Sequence, residues 1–261
     1  MLLLLALTRP SSGQSLQSLE STLARSFDRI NECYRLGRQF RVDPEKSAAY
    51  ADSLREASED VRRYLLQTLP LIPESIDAPI ATPENLWLTT SADKKLRTWA
   101  WDTKTGGEQP QIVMLFEYRT SSGVKVADLR PTGTTGYAPD WYDTIYTVTT
   151  KQGETYYIPF VNSQFTANQV AQRLDAYTIS EGSLRKGARL FQTTGGAAHS
   201  IELRYDYFKN YSEKLGRERF KIKFSNTMQT LSVPVAVGDS LTSSNRLFEF
   251  DGSRYIETPQ H

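Results

Sequence analysis

Apolar residues recur at steps of three and four from Leu16 onward. Leu19, Leu23, Phe27, Ile30 and Tyr34 fall on one stripe, which predicts an amphipathic helix over 15–36. Gly37 reads as its stop, because glycine accepts the conformations that end helices. Asp43 followed by Pro44 reads as a new start, with a capping carboxylate and a proline suited to the first turn. Leu54, Ala57, Val61 and Leu65 carry the second stripe to Thr68. The short link between the stripes predicts an antiparallel helical hairpin over 14–69. Pro70, Pro73, Pro79 and Pro83 then interrupt the pattern. Proline fixes φ and has no amide proton, so 70–84 reads as an extended connector.

Beyond it the apolar period falls to two, the spacing of half-buried strands. Strands are expected at 86–90, 95–101, 111–118, 124–129, 144–149, 155–161, 176–180, 189–192, 200–208, 220–224, 231–237, 246–250 and 254–257. Asp251-Gly252 is the clearest hairpin turn, and Ser122-Gly123, Gln152-Gly153 and Glu181-Gly182 resemble it. Residues 112–116 are apolar on both faces, which predicts a strand deep in the core. Residues 220–224 alternate, which predicts one wet face, and 167–174 read as one or two helical turns. The strands fall into three groups, 84–130, 141–193 and 197–258, a spacing that suggests blades or stacked sheets. The expected class is α+β: an N-terminal antiparallel helical hairpin, then a large antiparallel β domain over 85–258, sandwich or propeller-like.

Composition adds a compartment. Leu2 to Leu7 are apolar, and Ser11-Ser12-Gly13 follow. This reads as a signal peptide over 1–13 and an exported protein, periplasmic or extracellular. No later run reaches the ~18 apolar residues of a membrane helix. With one cysteine, Cys33, no internal disulfide holds the fold, and that thiol sits on the apolar face of the first helix. Formal net charge is +1, so no global field draws the chain to nucleic acid.

The same composition narrows the chemistry. His199 and His261 are the only imidazoles, too few for a zinc site without thiolates. A Ser–His–Asp triad would have to use His199, and no nucleophile elbow precedes a helix; Ser183 lies in an expected hairpin. The glycines of Gly133-Thr134-Thr135-Gly136 lack the lysine and the helix of a phosphate loop and read as a turn. Asp140 and Asp143 are the best material for a calcium site, although no EF-hand spacing is present. Arg185, Lys186 and Arg189, and then Lys209, Lys214, Arg217, Arg219, Lys221 and Lys223, form two basic clusters. Interleaved acids cut their field, so they read as solvated loop and protected edge. The helix charges read as a solvated face, with a partner surface as the alternative.

What remains is aromatic and acidic. Trp99, Trp101 and Asp102 stand together, and Asp140 and Asp143 flank Trp141 and Tyr142. Aromatic faces stack on sugar rings, carboxylates hold hydroxyls, and a pair of carboxylates can cleave a glycosidic bond. These seven residues are the candidate ligand site.

The segment Lys95-Leu96-Arg97-Thr98-Trp99-Ala100-Trp101-Asp102-Thr103, followed by Thr105-Gly106-Gly107, resembles a motif of an uncharacterised family of exported bacterial proteins. Tyr156-Tyr157, Leu190-Phe191 and Phe250-Asp251-Gly252 extend the resemblance over about 90–258. The chain departs from it at Glu108-Gln109-Pro110, where small, methionine or histidine residues are expected. The resemblance implies an exported, sheet-rich domain with no assigned activity and no catalytic residues. The expected role is therefore a non-catalytic binding or structural module at the cell envelope, without cofactor or metal, whose partner is a glycan, a peptide or an envelope protein. The alternatives are a carboxylate-dependent glycan hydrolase and an accessory protein that binds a partner through its helical hairpin.

Overall fold

The computed structural model describes residues 15–106, 110–129, 140–210 and 221–259. The expected signal peptide 1–13, the residues Gly107, Glu108 and Gln109, the expected turn at 133–136, the basic residues Lys214, Arg217 and Arg219, Phe220 and His261 lie outside them.

Two helices come first, α1 (Leu16–Gln39) and α2 (Pro44–Thr68). Ser15 caps α1 by accepting from the Ser18 amide at 3.2 Å, and Asp43 caps α2 by accepting from the Lys46 amide at 3.2 Å. Both satisfy amides that a helix start leaves unpaired. Gly37 does not end α1, which runs two residues further. Its bare Cα instead lets Tyr50 approach, since an added Cβ would sit 3.3 Å from the Tyr50 Cβ. Arg29 reaches Glu56 and Asp60 across the same helix pair.

The connector is not extended at its start. Leu69–Leu71 and Pro73–Ile76 form two 3-10 turns, each with a proline in its first two positions. There the missing amide is not needed, and the fixed φ suits a helical turn. Leu69, Ile72 and Ile76 are buried, so apolar packing holds the turns in place.

The strands follow in chain order: β1 (Leu86–Thr90), β2 (Leu96–Asp102), β3 (Ile112–Thr120), β4 (Gly123–Ala127), β5 (Asp140–Thr149), β6 (Thr155–Gln164), β7 (Gln169–Asp175) and β8 (Tyr177–Ser180). Then come β9 (Ser183–Lys186), β10 (Phe191–Thr193), β11 (Gly196–Ala198), β12 (Ser200–Asp206), a single helical turn α3 (Tyr207–Asn210), β13 (Lys223–Phe224), β14 (Thr230–Val237), β15 (Ser240–Phe250) and β16 (Tyr255–Glu257). The first sheet runs β1-β2-β3-β4. The second runs β12-β7-β6-β8-β9, with β5 also paired to β6. The third runs β11-β10-β16-β15-β14-β13. Pairing is antiparallel except between β10 and β16, which run parallel.

Three apolar clusters order these layers. Leu19, Leu23 and Phe27 of α1 and Val61 and Leu65 of α2 pack with Trp99, Trp101, Val113 and Leu115 of the first sheet. The other face of that sheet, through Leu96, Phe116 and Tyr118, packs on Tyr142, Tyr157, Val161 and Tyr177 of the second. The far face of the second sheet, with Ile158, Phe160, Leu174 and Leu203, packs on Phe191, Leu231, Val233, Phe248 and Tyr255 of the third. A strand covered on both faces must be apolar on both, which is why Ile112, Val113, Leu115 and Phe116 are all buried.

Two further expectations are corrected. Residues 169–175 form β7, not helical turns. Val170, Ala171 and Leu174 suit either period over so short a window, and bonding to β6 on one side and β12 on the other makes the segment a strand. The sequential grouping of strands also fails. β10 leaves the second group for the third sheet, and β12 leaves the third group for the second.

Candidate functional site

Between the first and second sheets lies a groove of about 790 Å³. The strands β1 and β5 form its two sides, and the ends of β2 and β3 close it with Asp102, Pro110 and Ile112. Side chains alternate along a strand. Leu86 and Leu88 turn toward the helices, so Trp87 lies on the opposite face of β1. It is 42% exposed and lines the groove with Trp141, Tyr142 and Asp143 of β5.

Four of the seven expected residues meet here: Asp102, Trp141, Tyr142 and Asp143. Asp102 ends β2 and is held by the Lys104 backbone amide at 2.9 Å and by its ammonium at 3.3 Å. Asp143 is exposed and accepts from the Asn162 side chain at 2.6 Å. It sits at an irregularity where β5 gains a residue on β6 between Tyr142 and Thr144. Such a bulge redirects side chains. Tyr142 is buried apart from the face it gives the groove, and burial drives its phenol well above the ordinary range.

The other three residues are placed elsewhere. Trp99 and Trp101 are fully buried under the helices. Trp99 donates its indole N–H to Glu117 at 2.9 Å, and Trp101 donates to Ser58 at 2.9 Å and meets Phe27 edge-on at 6.4 Å. They present no ring to a ligand. Asp140 accepts from Ser163 at 2.5 Å and from Arg173 at 2.7 Å, and it does not line the groove. Arg173 also binds the buried Asp175, which Lys186 reaches at 2.9 Å. Asp140 therefore belongs to an ion network of the second sheet. Asp140 and Asp143 are thus occupied by separate partners, and among the described residues no three metal-ligating side chains cluster.

Trp87 is the residue that sequence reading passed over. Its signal was present, because Leu86 and Leu88 flank it with the period of two that sends a tryptophan to the opposite face.

A second cavity, of about 630 Å³, lies at the far end of the same two sheets. Its cations Lys95 and Arg119 share it with Glu154 and Glu181, so it carries no charge bias. The basic clusters are similarly offset: Arg185 pairs with Glu181, and Lys209 pairs with Asp239 at 3.4 Å. His199 is exposed, and Cys33 packs partly buried against the helix–sheet core. The motif Thr103 and Thr105 share a hydroxyl contact at 2.7 Å, and Thr105 binds Gln111 at 2.8 Å, so these residues close the link from β2 to β3. Leu19, Leu23 and Phe27 are fully covered, so α1 offers its charged face, not its apolar stripe, to any partner. Among the described residues no helix is long and apolar enough to cross a membrane. No family model and no curated protein matches the chain.

Proposed function

We propose that this protein is an exported, non-catalytic binding module of the cell envelope, and that the groove between Trp87 and Trp141 is its ligand site. The observation that carries this reading is the meeting of two accessible indoles and two carboxylates in one concave space. Large apolar faces supply contact area, and a few convergent polar groups set orientation. Export rests on the apolar segment followed by small residues at 1–13. The antiparallel hairpin reading of α1 and α2 is supported by the approach of Gly37 to Tyr50 and of Arg29 to Glu56 and Asp60. Face-to-face apolar clusters between successive sheets favour a sandwich-like stack over a propeller.

The shared groove of Asp102 and Asp143 also favours a second reading, glycan hydrolysis. Under it, Asp102→Asn and Asp143→Asn each abolish release of reducing ends from envelope polysaccharide. Under the binding reading the parent protein releases none.

The experiment is a combined glycan and peptide array probed with the mature protein and with Trp87→Ala and Trp141→Ala. Loss of an aromatic anchor weakens binding by about tenfold or more. Silence of the whole array, or binding indifferent to both substitutions, overturns the proposal.

A further inference from the structure

We infer that the groove takes an extended, positively charged peptide by strand addition to β1; this rests on the binding reading above. The argument starts from the main chain. β1 is an edge strand, bonded to β2 alone among the described residues. The Ser91 amide donates to the Leu96 carbonyl at 2.8 Å, just past the end of β1. In an antiparallel pair, residues that bond across the ladder alternate with residues whose amide and carbonyl point away. Counting back from Ser91, Thr89 and Trp87 bond to β2, and Thr90, Leu88 and Leu86 turn outward. Leu86 agrees with this parity, because its amide donates to the Pro83 carbonyl at 3.2 Å and not to β2.

Leu88 lines the groove. Its outward amide and carbonyl have no partner among the described residues. They form a donor and an acceptor on one residue, at the spacing that another extended chain matches. The opposite wall is also an edge, since β5 bonds to β6 alone among the described residues. The two edges touch where the Thr89 hydroxyl donates to the Tyr142 carbonyl at 2.8 Å. The groove opens on the Trp87–Trp141 side of that contact. A strand laid there continues the first sheet and passes between two indoles.

Charge selects the side chains. Among the described residues the groove is lined by two carboxylates and no cation. Lys104 offsets Asp102 at 3.3 Å, whereas among the described residues Asp143 is met by the neutral Asn162 amide. An ammonium or guanidinium beside Asp143 gains that carboxylate and an indole face together. An acidic peptide would leave Asp143 opposed.

The test uses the mature full chain and a labelled short peptide alternating lysine with threonine, read by fluorescence anisotropy. Two N-methylated versions block one peptide edge each, and a glutamate–threonine peptide and an N-acetylglucosamine oligosaccharide complete the set. The lysine peptide binds, one N-methyl pattern weakens it by about tenfold or more while the other does not, and the glutamate peptide binds at least about tenfold more weakly. Asp143→Asn narrows the lysine–glutamate gap. Equal tolerance of both N-methyl patterns overturns the inference, as does equal affinity for the glutamate peptide. Trp141-dependent binding of the oligosaccharide alone also overturns it and leaves the binding module standing. Silence of all the probes removes both.

Discussion

Glu117 has no solvent exposure, yet it carries a carboxyl group. The Ser75 hydroxyl lies against it and also within 2.6 Å of the Ile72 carbonyl. One hydroxyl proton cannot serve both oxygens. A protonated Glu117 donating to Ser75, which in turn donates to Ile72, satisfies all three groups and leaves the other carboxyl oxygen to accept from Trp99. Burial pushes this carboxyl up, against the pull of Ser75, Trp99 and Arg97. A raised native value means that its contribution is complete below the ordinary value of 4.5 and is lost as pH rises through the native value. Glu117→Gln reproduces the neutral form, with an amide N–H for Ser75 and an oxygen for Trp99. Its Tm should exceed the parent's near pH 8, and the gap should close towards about pH 4; thermal melts across that window check this, and parallel curves would refute it. Asp251 carries the opposite sign. The Arg254 amide and the Ser253 hydroxyl and amide hold it down at about 2. Its contribution is present above 3.8 and fades as pH falls towards 2. Asp251→Asn should therefore flatten the acid limb of the same melts. At this scale the sequence marks residue type well and surroundings poorly. Trp99-Ala100-Trp101-Asp102 and Asp140-Trp141-Tyr142-Asp143 look equally suited to a ligand. Only the helices covering one of them, and the Arg173 contact that occupies Asp140, separate core from groove.

At the scale of elements, local patterns carry furthest where the cause is local. The helix starts at Ser15 and Asp43, the buried stripe of α1 and the turns at Gly123 and Gly252, both at positive φ, were readable from neighbouring residues. The turn at Gly252 has a longer-range duty as well. The Lys151 amide donates to the Gly252 carbonyl at 2.7 Å, and its ammonium reaches the Asp251 carbonyl at 2.8 Å. This clasp joins the β5–β6 turn of the second sheet to the β15–β16 turn of the third. A Cβ on Gly252 would collide with the Lys151 aliphatic chain, and its φ of +96° strains any other residue. Gly252→Ala should cost about 1–3 kcal/mol, measured by urea denaturation, and Lys151→Ala should lose less because it adds no clash. β7 and the 3-10 turns were not readable, because their conformation is decided by partners distant in sequence.

For the whole molecule, the decisive feature is that the helices and the first sheet share one apolar interior. Phe27 is fully buried against Trp101. Phe27→Ala should cost about 3–5 kcal/mol and shift tryptophan emission to the red, although the substitution lies outside the sheets. A chain beginning at Asn85 would bare the Trp99 and Trp101 face. It should lose its cooperative melt, and a sharp transition with blue emission from that fragment would contradict the shared interior. The α+β class was readable from the change of period, but the cross-connection of β10 and β12 was not, since no local signal states which sheet a short strand joins.

That cross-connection bears on how the molecule is made. As the chain leaves the ribosome, β10 and β11 belong to a sheet whose partner β16 does not yet exist, while β7 waits for β12 on its far side. The second sheet cannot close until β12 has emerged, and the third cannot close until β16 has. Long-range pairing of this kind slows folding and leaves strand edges open in the interval. Under the export proposed above, that delay would keep the third sheet open long enough to be threaded.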